Sequence, residues 1–443
     1  MFVRRAYKTE LNPTERQKRL LVKHSDVCRF VWNQALRWRE TEYRQTGESV
    51  PGNKIISEFR RMRAERWPQT VGVASRVEES AVRALDDAYK RFFKICRGEL
   101  PRPRTNGPRK DGRPAGFPRE KKDRDGVVPF AFWGVEETDV RDNAIRLQKI
   151  GWIRLKERGY LPTEGWKINR ATVSEQAGRW YVSLQVEGEA EDAPRPTAAP
   201  VGVDVGVSKG NLAVVSDGRR FENPKALDKA QRRLARFQRK AARQVGAKRG
   251  QRNSKRRLRT LGRIGRLHRK VGDVRKHAQH QATSEIVGRH AAPSARPEVI
   301  GTETLNVKGM VANHKLARSV SDAGMGELLR QIGYKAEWCG IEVVKAERFY
   351  PSSKTCSTCG CINAELTLSD RSWTCPECGA IHDRDLNAAV NLANLASKPD
   401  ERLNGRGGHV SPDAGQRPVK RPRAKTNARG PEQSGQPVAL GGE

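Results

Sequence analysis

The hydrophobic pattern at the start of the chain predicts one strand followed by helices. Residues 1–10 alternate weakly between polar and apolar positions, which is typical of a strand. Apolar residues recur at helical spacing over residues 14–45 and again over residues 74–94. In the second stretch they form one stripe at steps of three and four residues: Val77, Ala81, Val82, Leu85, Ala88 and Phe92. We therefore expect amphipathic helices that each bury one face.

Residues 97–126 are rich in Pro, Gly and Arg, and this composition predicts a mobile basic loop rather than a helix. Strand-like segments follow it: VVPFAFWGV, AIRLQKIGWIRL, INRATVSE and RWYVSLQVEGE. Short strands separated by turn signals predict a small antiparallel barrel, which the first strand would have to join. The helices between would then be an inserted lobe, and residues 190–199 a linker.

The second half of the chain has a different pattern. Residues 201–218, VGVDVGVSKGNLAVVSDG, predict strand, turn and strand, and the nearly continuous apolar first strand is typical of a buried central position. The segment PEVIGTETL predicts a strand ending at Glu303, followed by a helix over 322–339, the strand IEVVKAERF and a last helix over 383–396. Residues 397–443 lack periodicity and large apolar residues, so we expect them to be disordered.

The charge balance points to a nucleic-acid partner. The 443 residues carry 86 Lys+Arg against 51 Asp+Glu, a net charge of +35, which disfavours an ordinary metabolic enzyme. Residues 229–276 alone contain 20 Lys+Arg and one acid, Asp273, on a helical apolar stripe. Solvated faces usually mix signs, so we expect a basic helical hairpin, residues 227–276, that contacts nucleic acid.

The same composition bears on localisation. No stretch approaches the ~18 consecutive apolar residues of a membrane span. The first residues, MFVRRAYKTELNPTE, lack the apolar core of a secretory signal. We therefore expect a cytoplasmic protein with no membrane partner.

Five of the eight cysteines fall within 23 residues, a clustering that indicates a metal site rather than a disulfide framework. The motifs CSTC and CPEC are separated by 15 residues and supply four thiolates to one tetrahedral zinc: Cys356, Cys359, Cys375 and Cys378. Four protein ligands leave no open position, so this zinc would be structural. Cys361 would be a bystander, and we expect the three remaining cysteines to be buried: Cys28, Cys96 and Cys339.

The zinc ribbon that these motifs predict also contains residues that could contact nucleic acid. Lys354, Arg371 and Trp373 would give it a basic and aromatic surface for a nucleic-acid strand.

Three acids occupy unusual positions for solvated carboxylates. Asp204 lies inside an apolar strand, Glu303 ends another, and Asp385 opens the last helix. A single acid so placed is usually a cap or a satisfied pair. Three from separate elements suggest a divalent-metal site, in which two Mg²⁺ ions about 3.5–4 Å apart would serve phosphodiester hydrolysis. The pattern alone leaves both interpretations open.

The ordered motifs of the chain resemble TnpB, the OrfB-type protein of bacterial insertion sequences, which is related to small type V CRISPR effectors. The resemblance covers about residues 1–396 and rests on five motifs in the second half: VGVDVGV, TETLNVKGM, RFYPSSKTCSTCG, SDRSWTCPECG and HDRDLNAAVNL. The first half agrees in four more: AYKTELNPTERQ, CRFVWNQAL, LQKIGWIRL and VSEQAGRWYVSLQVE.

The resemblance implies a multidomain α+β fold in which an RNase H-like RuvC nuclease domain follows a barrel and a helical lobe. The implied parts are a wedge-like β-barrel (1–10 and 97–190), a helical recognition lobe (11–96), the first part of the nuclease with its basic hairpin (191–351), a zinc ribbon (352–382), the last nuclease helix (383–396) and a tail (397–443).

The resemblance also implies an activity, that of an RNA-guided DNA endonuclease of a transposable element. Asp204, Glu303 and Asp385 would be its catalytic ligands for two Mg²⁺ ions, while Asp383 would only cap the last helix. Thr304 stands where the family often has a second acid, which leaves the triad complete. Its partners would be a guide RNA and a double-stranded DNA target beside a short flanking motif, with the protein a monomer on its RNA.

Two other functions remain as alternatives. A transposase or resolvase could act directly on DNA ends, although we recognise no clear helix-turn-helix that would read bases. A nuclease-inactive, RNA-guided repressor would be expected to lack one of the three acids, and all three are present. For the guided enzyme, base pairing reads the target and the protein needs little base-specific chemistry.

Overall fold

The structure is a computed structural model that describes residues 2–103, 112–122, 126–162, 164–189, 193–208, 210–246, 253–367 and 369–398. The basic loop expected over 97–126 lies partly outside these residues, and so does the expected disordered tail beyond residue 398. No helix in the described ranges is both long enough and apolar enough to cross a membrane.

The chain begins with a strand and three helices. These elements are β1 (Phe2–Asn12), α1 (Glu15–Thr46), α2 (Gly52–Arg66) and α3 (Ser75–Cys96). The side chains of Thr14 and Gln17 each accept a hydrogen bond from the other's backbone N–H, a capping box that starts α1, and Gly47 ends it at φ 74°. The two predicted helices are confirmed as α1 and α3. The sequence pattern did not separate α2, in which Ile55, Ile56 and Phe59 are buried.

Seven described strands form an antiparallel sheet, which β1 joins as predicted. The other strands are β2 (Phe130–Trp133), β3 (Val140–Arg141), β4 (Ala144–Leu147), β5 (Gly151–Leu155), β6 (Lys167–Gln176) and β7 (Arg179–Glu189). Their order is β2-β6-β7-β1-β5-β4-β3, so β1 lies between β7 and β5 with Thr9 opposite Val182. Ala177 and Gly178 form the two-residue turn between β6 and β7, both at positive φ.

The sheet and the first three helices share one hydrophobic core. Phe130 and Phe132 on β2 are among its largest fully buried side chains, and both rings lie against His24 of α1, at centroid distances of 5.9 and 5.7 Å. The helical segment is therefore packed onto the sheet by aromatic side chains.

The second half contains a mixed five-stranded sheet with helices around it. Its elements are β8 (Val201–Val205), β9 (Ala213–Val215), β10 (Arg220–Phe221), α4 (Ala226–Ala242), α5 (Lys255–Ile286), β11 (Val299–Thr302), α6 (Val307–Ala312), α7 (Ala317–Ala323), α8 (Met325–Trp338) and β12 (Glu342–Lys345). The order is β10-β9-β8-β11-β12; β8, β11 and β12 are parallel, β9 pairs antiparallel with β8, and β10 pairs antiparallel with β9. The apolar strand β8 is central, as predicted.

A small hairpin and the last helix complete the described chain. The hairpin consists of β13 (Ser372–Thr374) and β14 (Ile381–Asp383), which pair in antiparallel fashion, and α9 (Arg384–Ser397) follows directly. The start of α9 agrees with the helix predicted over 383–396.

The basic hairpin is confirmed as α4 and α5, but α5 runs to Ile286 rather than ending at residue 276. The last turns of α5 pack on α8 in part through polar groups. The buried Lys335 ammonium donates to the His280 carbonyl (2.8 Å), to Thr283 Oγ1 (2.7 Å) and to Ser284 Oγ (2.9 Å). Burial, aided by Arg289, lowers the pKa of Lys335 to about 8. Ala282 and Ile286, four residues apart, are buried on the same turns, so the helical spacing continues past residue 276 and the predicted end was too early.

The cysteines outside the cluster do not all behave as expected. Cys28 and Cys339 are buried, and burial raises the pKa of the Cys28 thiol to about 11. Cys96 is exposed, so the expectation of a buried thiol is wrong there. It is the last residue of α3, where the helix end faces solvent.

Candidate functional site

Two of the three predicted acids lie at the carboxyl ends of neighbouring parallel strands. Strands β8 and β11 pair with Val203 opposite Thr302, so Asp204 and Glu303 are each one residue further along. The carboxyl ends of adjacent parallel strands are where open α/β sheets place their ligands. Strand register alone therefore brings the two carboxylates together.

Helix α9 covers the same face of the sheet and brings in the third acid. A Cβ atom at Gly202 would overlap the carbonyl oxygen of Ala389, and one at Gly301 would overlap that of Leu392. Alternate residues of a strand share a face, so Asp204 and Glu303, two residues beyond these glycines, also face α9.

The position of Asp385 follows from the same geometry. It precedes Ala389 by four residues, about 6 Å along a helix. Two strand residues, the distance from Gly202 to Asp204, span about 6.6 Å. The charge of Asp385 acts on Asp204, so the first turn of α9 lies at the carboxyl end of β8 and these equal lengths place the two acids level.

The electrostatics of Asp204 agree with this cluster. Burial raises the pKa of its carboxyl well above the usual value, and the charges of Glu303 and Asp385 raise it further, against a smaller opposing effect of Arg384. Several negative charges close together in a partly buried site raise the free energy of the folded state unless a cation neutralises them. Three carboxylates with oxygen ligands only are the donor set that Mg²⁺ prefers, so these residues fit a divalent hard cation.

Neighbouring polar groups hold two of the carboxylates. Ser352 Oγ donates to Glu303 Oε1 at 2.6 Å. The Asn211 amide donates to Asp385, and an Arg371 guanidinium nitrogen lies 3.7 Å from the same carboxylate. These groups orient oxygens that would otherwise rotate freely.

Asp383 has a different environment from Asp385. Its Oδ1 accepts from the Leu386 backbone N–H at 2.9 Å, which is the predicted N-cap of the last helix, and it pairs with Arg220 at 3.0 Å. Burial would raise the pKa of Asp383, but the Leu386 N–H and Arg220 together lower it below its usual value. Its carboxylate is thus already satisfied by protein groups.

The four cysteines of the two CxxC motifs converge. Their sulfurs all lie within 4.8 Å of one another, including Cys356 to Cys378 at 3.7 Å and Cys359 to Cys375 at 3.5 Å. Zn–S bonds of ~2.3 Å in a tetrahedron give sulfur–sulfur edges of about 3.8 Å, so the residues fit zinc. Within the described part of the chain, the three carboxylates do not form a group this tight.

The two CxxC turns are built alike. Gly360 and Gly379 follow them at φ 81° and 72°, and their N–H groups donate to Cys356 O and Cys375 O at 2.9 and 3.0 Å. Glycine is favoured at these positions because the left-handed conformation strains other residues. Cys361 lies outside the cluster of four, in agreement with its predicted bystander role.

The expected aromatic surface of the ribbon is wrong for Trp373. This side chain is 7% exposed and packs at 4.9 Å against His382, its cross-strand partner between β13 and β14. Lys354 donates to the Ala364 carbonyl at 2.8 Å. Trp373 therefore belongs to the small core of the ribbon rather than to a stacking platform.

Sequence reasoning also missed several polar residues at the site. His382 Nε2 lies 3.0 Å from Cys356 Sγ, and Ser352, Asn387 and Asn391 are buried. The two asparagines stand four residues apart within the otherwise apolar face of α9, which is a signal that could have drawn attention to them.

Three protein-family models match the chain. "Cas12f1-like, TNB domain" covers residues 326–392, "Probable transposase" covers 183–314, and "Helix-turn-helix domain" covers 1–48. The last match corrects our expectation that no helix-turn-helix is recognisable. In the structure this region is β1 followed by the single helix α1, which spans 32 residues, and α2 begins after a short turn.

Curated relatives span nearly the whole chain. One from Streptomyces pristinaespiralis, named "Putative RNA-guided DNA endonuclease", is 33% identical over 402 residues, 89% of this chain and 90% of the relative. One from Escherichia coli (strain K12), named "Putative RNA-guided DNA endonuclease InsQ", is 29% identical over 398 residues, 87% and 91% of the two chains.

A solved structure shares the fold. It is a chain of the "Cryo-EM structure of the Cas12f1-sgRNA-target DNA complex", and it matches with a TM-score of 0.50 and 12% identity over 90% of this chain and 99% of the other. Fold and site together define a multidomain α+β protein with a four-cysteine ribbon beside an acidic cluster. The relatives and family models then specify it: the chain belongs to the TnpB family, the OrfB proteins of IS605-type elements.

Proposed function

We propose that the protein is an RNA-guided DNA endonuclease of a transposable element, with Asp204, Glu303 and Asp385 as its catalytic carboxylates. The observation that carries this proposal is the meeting of these three acids, from β8, β11 and α9, at one edge of the five-stranded sheet. The names of the relatives support the activity. The matching complex, which contains Cas12f1, sgRNA and target DNA, supports a guide RNA and a DNA target as partners.

The chemistry would be hydrolysis of a phosphodiester bond. Two Mg²⁺ ions held by the carboxylates would supply an activated water and stabilise the charge on the leaving oxygen. The chain's own groups orient the ligands: Ser352 fixes one oxygen of Glu303, and Asn211 fixes one of Asp385. The arrangement needs no protein nucleophile.

The proposed binding surfaces follow from charge. The α4–α5 hairpin would neutralise phosphates of RNA or DNA. We further propose that the five-stranded sheet is the RNase H-like RuvC domain and that the seven-stranded sheet is the wedge-like domain, with the boundaries given by the sequence. A protein that neutralises phosphates in this way gains affinity but no sequence information, which the guide would supply by pairing.

Substitution of the acids tests the assignment. Asp204→Ala and Asp385→Ala should abolish cleavage of a guide-matched DNA duplex while RNA-dependent DNA binding persists, because binding and hydrolysis use different residues. Asp383→Ala should still cleave, since its carboxylate caps a helix. Cleavage by Asp385→Ala together with inactivity of Asp383→Ala would show that the wrong acid was chosen.

A transposase that acts directly on DNA ends is the second candidate, favoured by the match of residues 1–48 to a helix-turn-helix family. RNA content separates the two. The RNA-free protein should cut negligibly at moderate salt, and a new guide should move the cut site to a matching DNA beside the flanking motif. Efficient, site-specific cutting of element ends without RNA would establish the direct transposase instead.

A further inference from the structure

The first CxxC turn of the zinc ribbon is hydrogen-bonded to the helix that carries Asp385. Asn387 accepts from the Ser357 N–H at 2.9 Å and donates to the Thr355 carbonyl at 2.7 Å. Asn391, one turn later, donates to the carbonyls of Thr355 at 2.6 Å and Ser352 at 2.8 Å. Both asparagines are buried, at 2% and 4% exposure, so these bonds form away from water.

The same segment is also bonded to the strand end that carries Glu303. Ser352, which is 3% exposed, donates its hydroxyl hydrogen to Glu303 Oε1 at 2.6 Å. Nearby, Thr304 Oγ1 donates to the Ala346 carbonyl at 2.7 Å. Residues 346–357, between β12 and the first CxxC turn, therefore contact the carriers of two acids.

The second half of the ribbon contacts the start of α9 from another side. The Arg384 guanidinium donates to the Thr367 carbonyl at 3.0 Å, and the Arg384 N–H donates to the Arg371 carbonyl at 2.9 Å. Arg371 in turn lies 3.7 Å from the Asp385 carboxylate. The first turn of α9 is thus fixed to the ribbon on both sides.

We propose that the zinc ribbon positions the acidic cluster, with Ser352, Asn387 and Asn391 as positioning residues. This inference rests on the proposed function of the cluster. A metal bound at Cys356 would fix the CxxC turn to which Asn387 and Asn391 are hydrogen-bonded. Ser352, which bonds Glu303, lies four residues before Cys356 in the same segment. Supporting groups of this kind commonly change metal affinity or activity by about 10–100-fold when removed.

A ribbon that served only to contact nucleic acid would be expected to expose its aromatic and polar groups. Trp373, the aromatic residue best suited to stacking, is buried. Ser352, the Thr355 carbonyl and the Ser357 N–H instead contact α9 and Glu303. Loss of the ribbon's fold should therefore disturb the carboxylates even with no DNA target present.

Metal binding by the full-length protein, purified with its copurifying RNA, gives the first test. Mn²⁺ is the probe, titrated by electron paramagnetic resonance, and zinc content is followed by elemental analysis. Ser352→Ala should weaken Mn²⁺ binding at least tenfold with zinc content unchanged, and Ser352→Thr should recover part of the affinity because it keeps the hydroxyl. Ser353→Ala, at a half-exposed neighbour, is the matched control and should bind Mn²⁺ like the wild type.

The asparagines give the second test, because α9 offers a matched control. Asn387→Ala should lower the rate constant of guided cleavage at least tenfold at saturating DNA without changing DNA affinity, whereas Asn394→Ala, at an exposed position of the same helix, should not. Selective loss of rate shows positioning, since a general loss of fold would also weaken RNA-dependent DNA binding.

The outcomes separate this inference from the proposed function. Wild-type Mn²⁺ affinity in both Ser352→Ala and Asn387→Ala, beside weakened binding in Asp204→Ala, would overturn the positioning role and leave the acidic cluster as the metal site. Unchanged Mn²⁺ binding in Asp204→Ala would overturn the metal site itself and the inference with it.

Discussion

The glycines beneath α9 allow a quantitative test of how the site is assembled. Gly202→Ala places a methyl group against the backbone of Ala389 and Ala393, and 2.9 Å from the Leu392 carbonyl carbon. Carbon atoms pack best at about 3.5–4.0 Å, and the Ala389 carbonyl oxygen and Ala393 nitrogen lie nearer to the new methyl group than the Leu392 carbon does, so α9 must move outward by well over about 0.6 Å. Gly301→Ala meets the same carbonyl carbon at 2.9 Å and Ala396 Cβ at 3.2 Å.

That displacement should affect both catalysis and stability. Overpacking usually costs about 1–3 kcal/mol, and because the overlapped atoms here are helix backbone that cannot rotate away, we expect a cost at or above the upper end of that range. A shift of about 1 Å in a catalytic group can lower the rate about 100-fold, and α9 carries Asp385. We expect Gly202→Ala and Gly301→Ala to cleave guide-matched DNA roughly 100-fold more slowly at saturating substrate.

The assay compares single-turnover cleavage, RNA-dependent DNA binding and thermal unfolding for each variant. Gly333→Ala is the matched control, because Gly333 lies within α8 and an added Cβ meets no neighbouring atom within 4 Å. It should cleave normally and gain up to about 1 kcal/mol of stability from helix propensity. Wild-type cleavage rates in Gly202→Ala would refute the close packing of α9 as the determinant of the Asp385 position.

Three further predictions concern metal, capping and pH. Elemental analysis should find one zinc per chain, and Cys375→Ser should lower zinc content and the stability of the ribbon; a folded, zinc-free wild type would contradict the site. Asp383→Ala should cost about 1 kcal/mol in denaturant unfolding through loss of the helix cap, and an unchanged midpoint would contradict that role. Folding lowers the pKa of Lys335 from 10.5 to about 8, so between these pH values Lys335 is more protonated in the unfolded state than in the folded state. The contribution of Lys335 to the free energy of unfolding should therefore rise with pH across this window. Lys335→Met should remove that rise in unfolding curves measured between these pH values, and an identical slope in both proteins would contradict the assignment.

Much of the fold could be predicted because its signals are local. The Thr14 cap and the apolar stripe of α3 depend on residues a few positions apart, and the two CxxC motifs encode their own turns. The candidate acids could be predicted because a carboxylate inside or just after an apolar strand stands out, as Asp204 and Glu303 do.

What could not be predicted depends on partners distant in sequence. The last turns of α5 are bonded to Lys335 of α8 through the His280 carbonyl, Thr283 and Ser284, and no pattern within α5 itself indicates that partner. Trp373 is a residue type that often stacks on nucleic-acid bases, yet pairing of β13 with β14 places it against His382 and out of solvent. In both cases tertiary contact decides a question that residue type leaves open.

The residues that place the acids are less conspicuous than the acids themselves. Gly202 and Gly301 contribute no functional group, and their role is visible only once the backbone of α9 lies against them. Ser352 and Asn387 are polar residues that sequence alone would assign to the surface, yet both are buried. Carboxylates can hold a cation only when their oxygens converge, so the proposed metal site would depend on these residues as well as on the three acids. A chain could therefore keep all three acids and still lose cleavage through a change at any of these positions, so the presence of the triad alone is an insufficient criterion for an active nuclease.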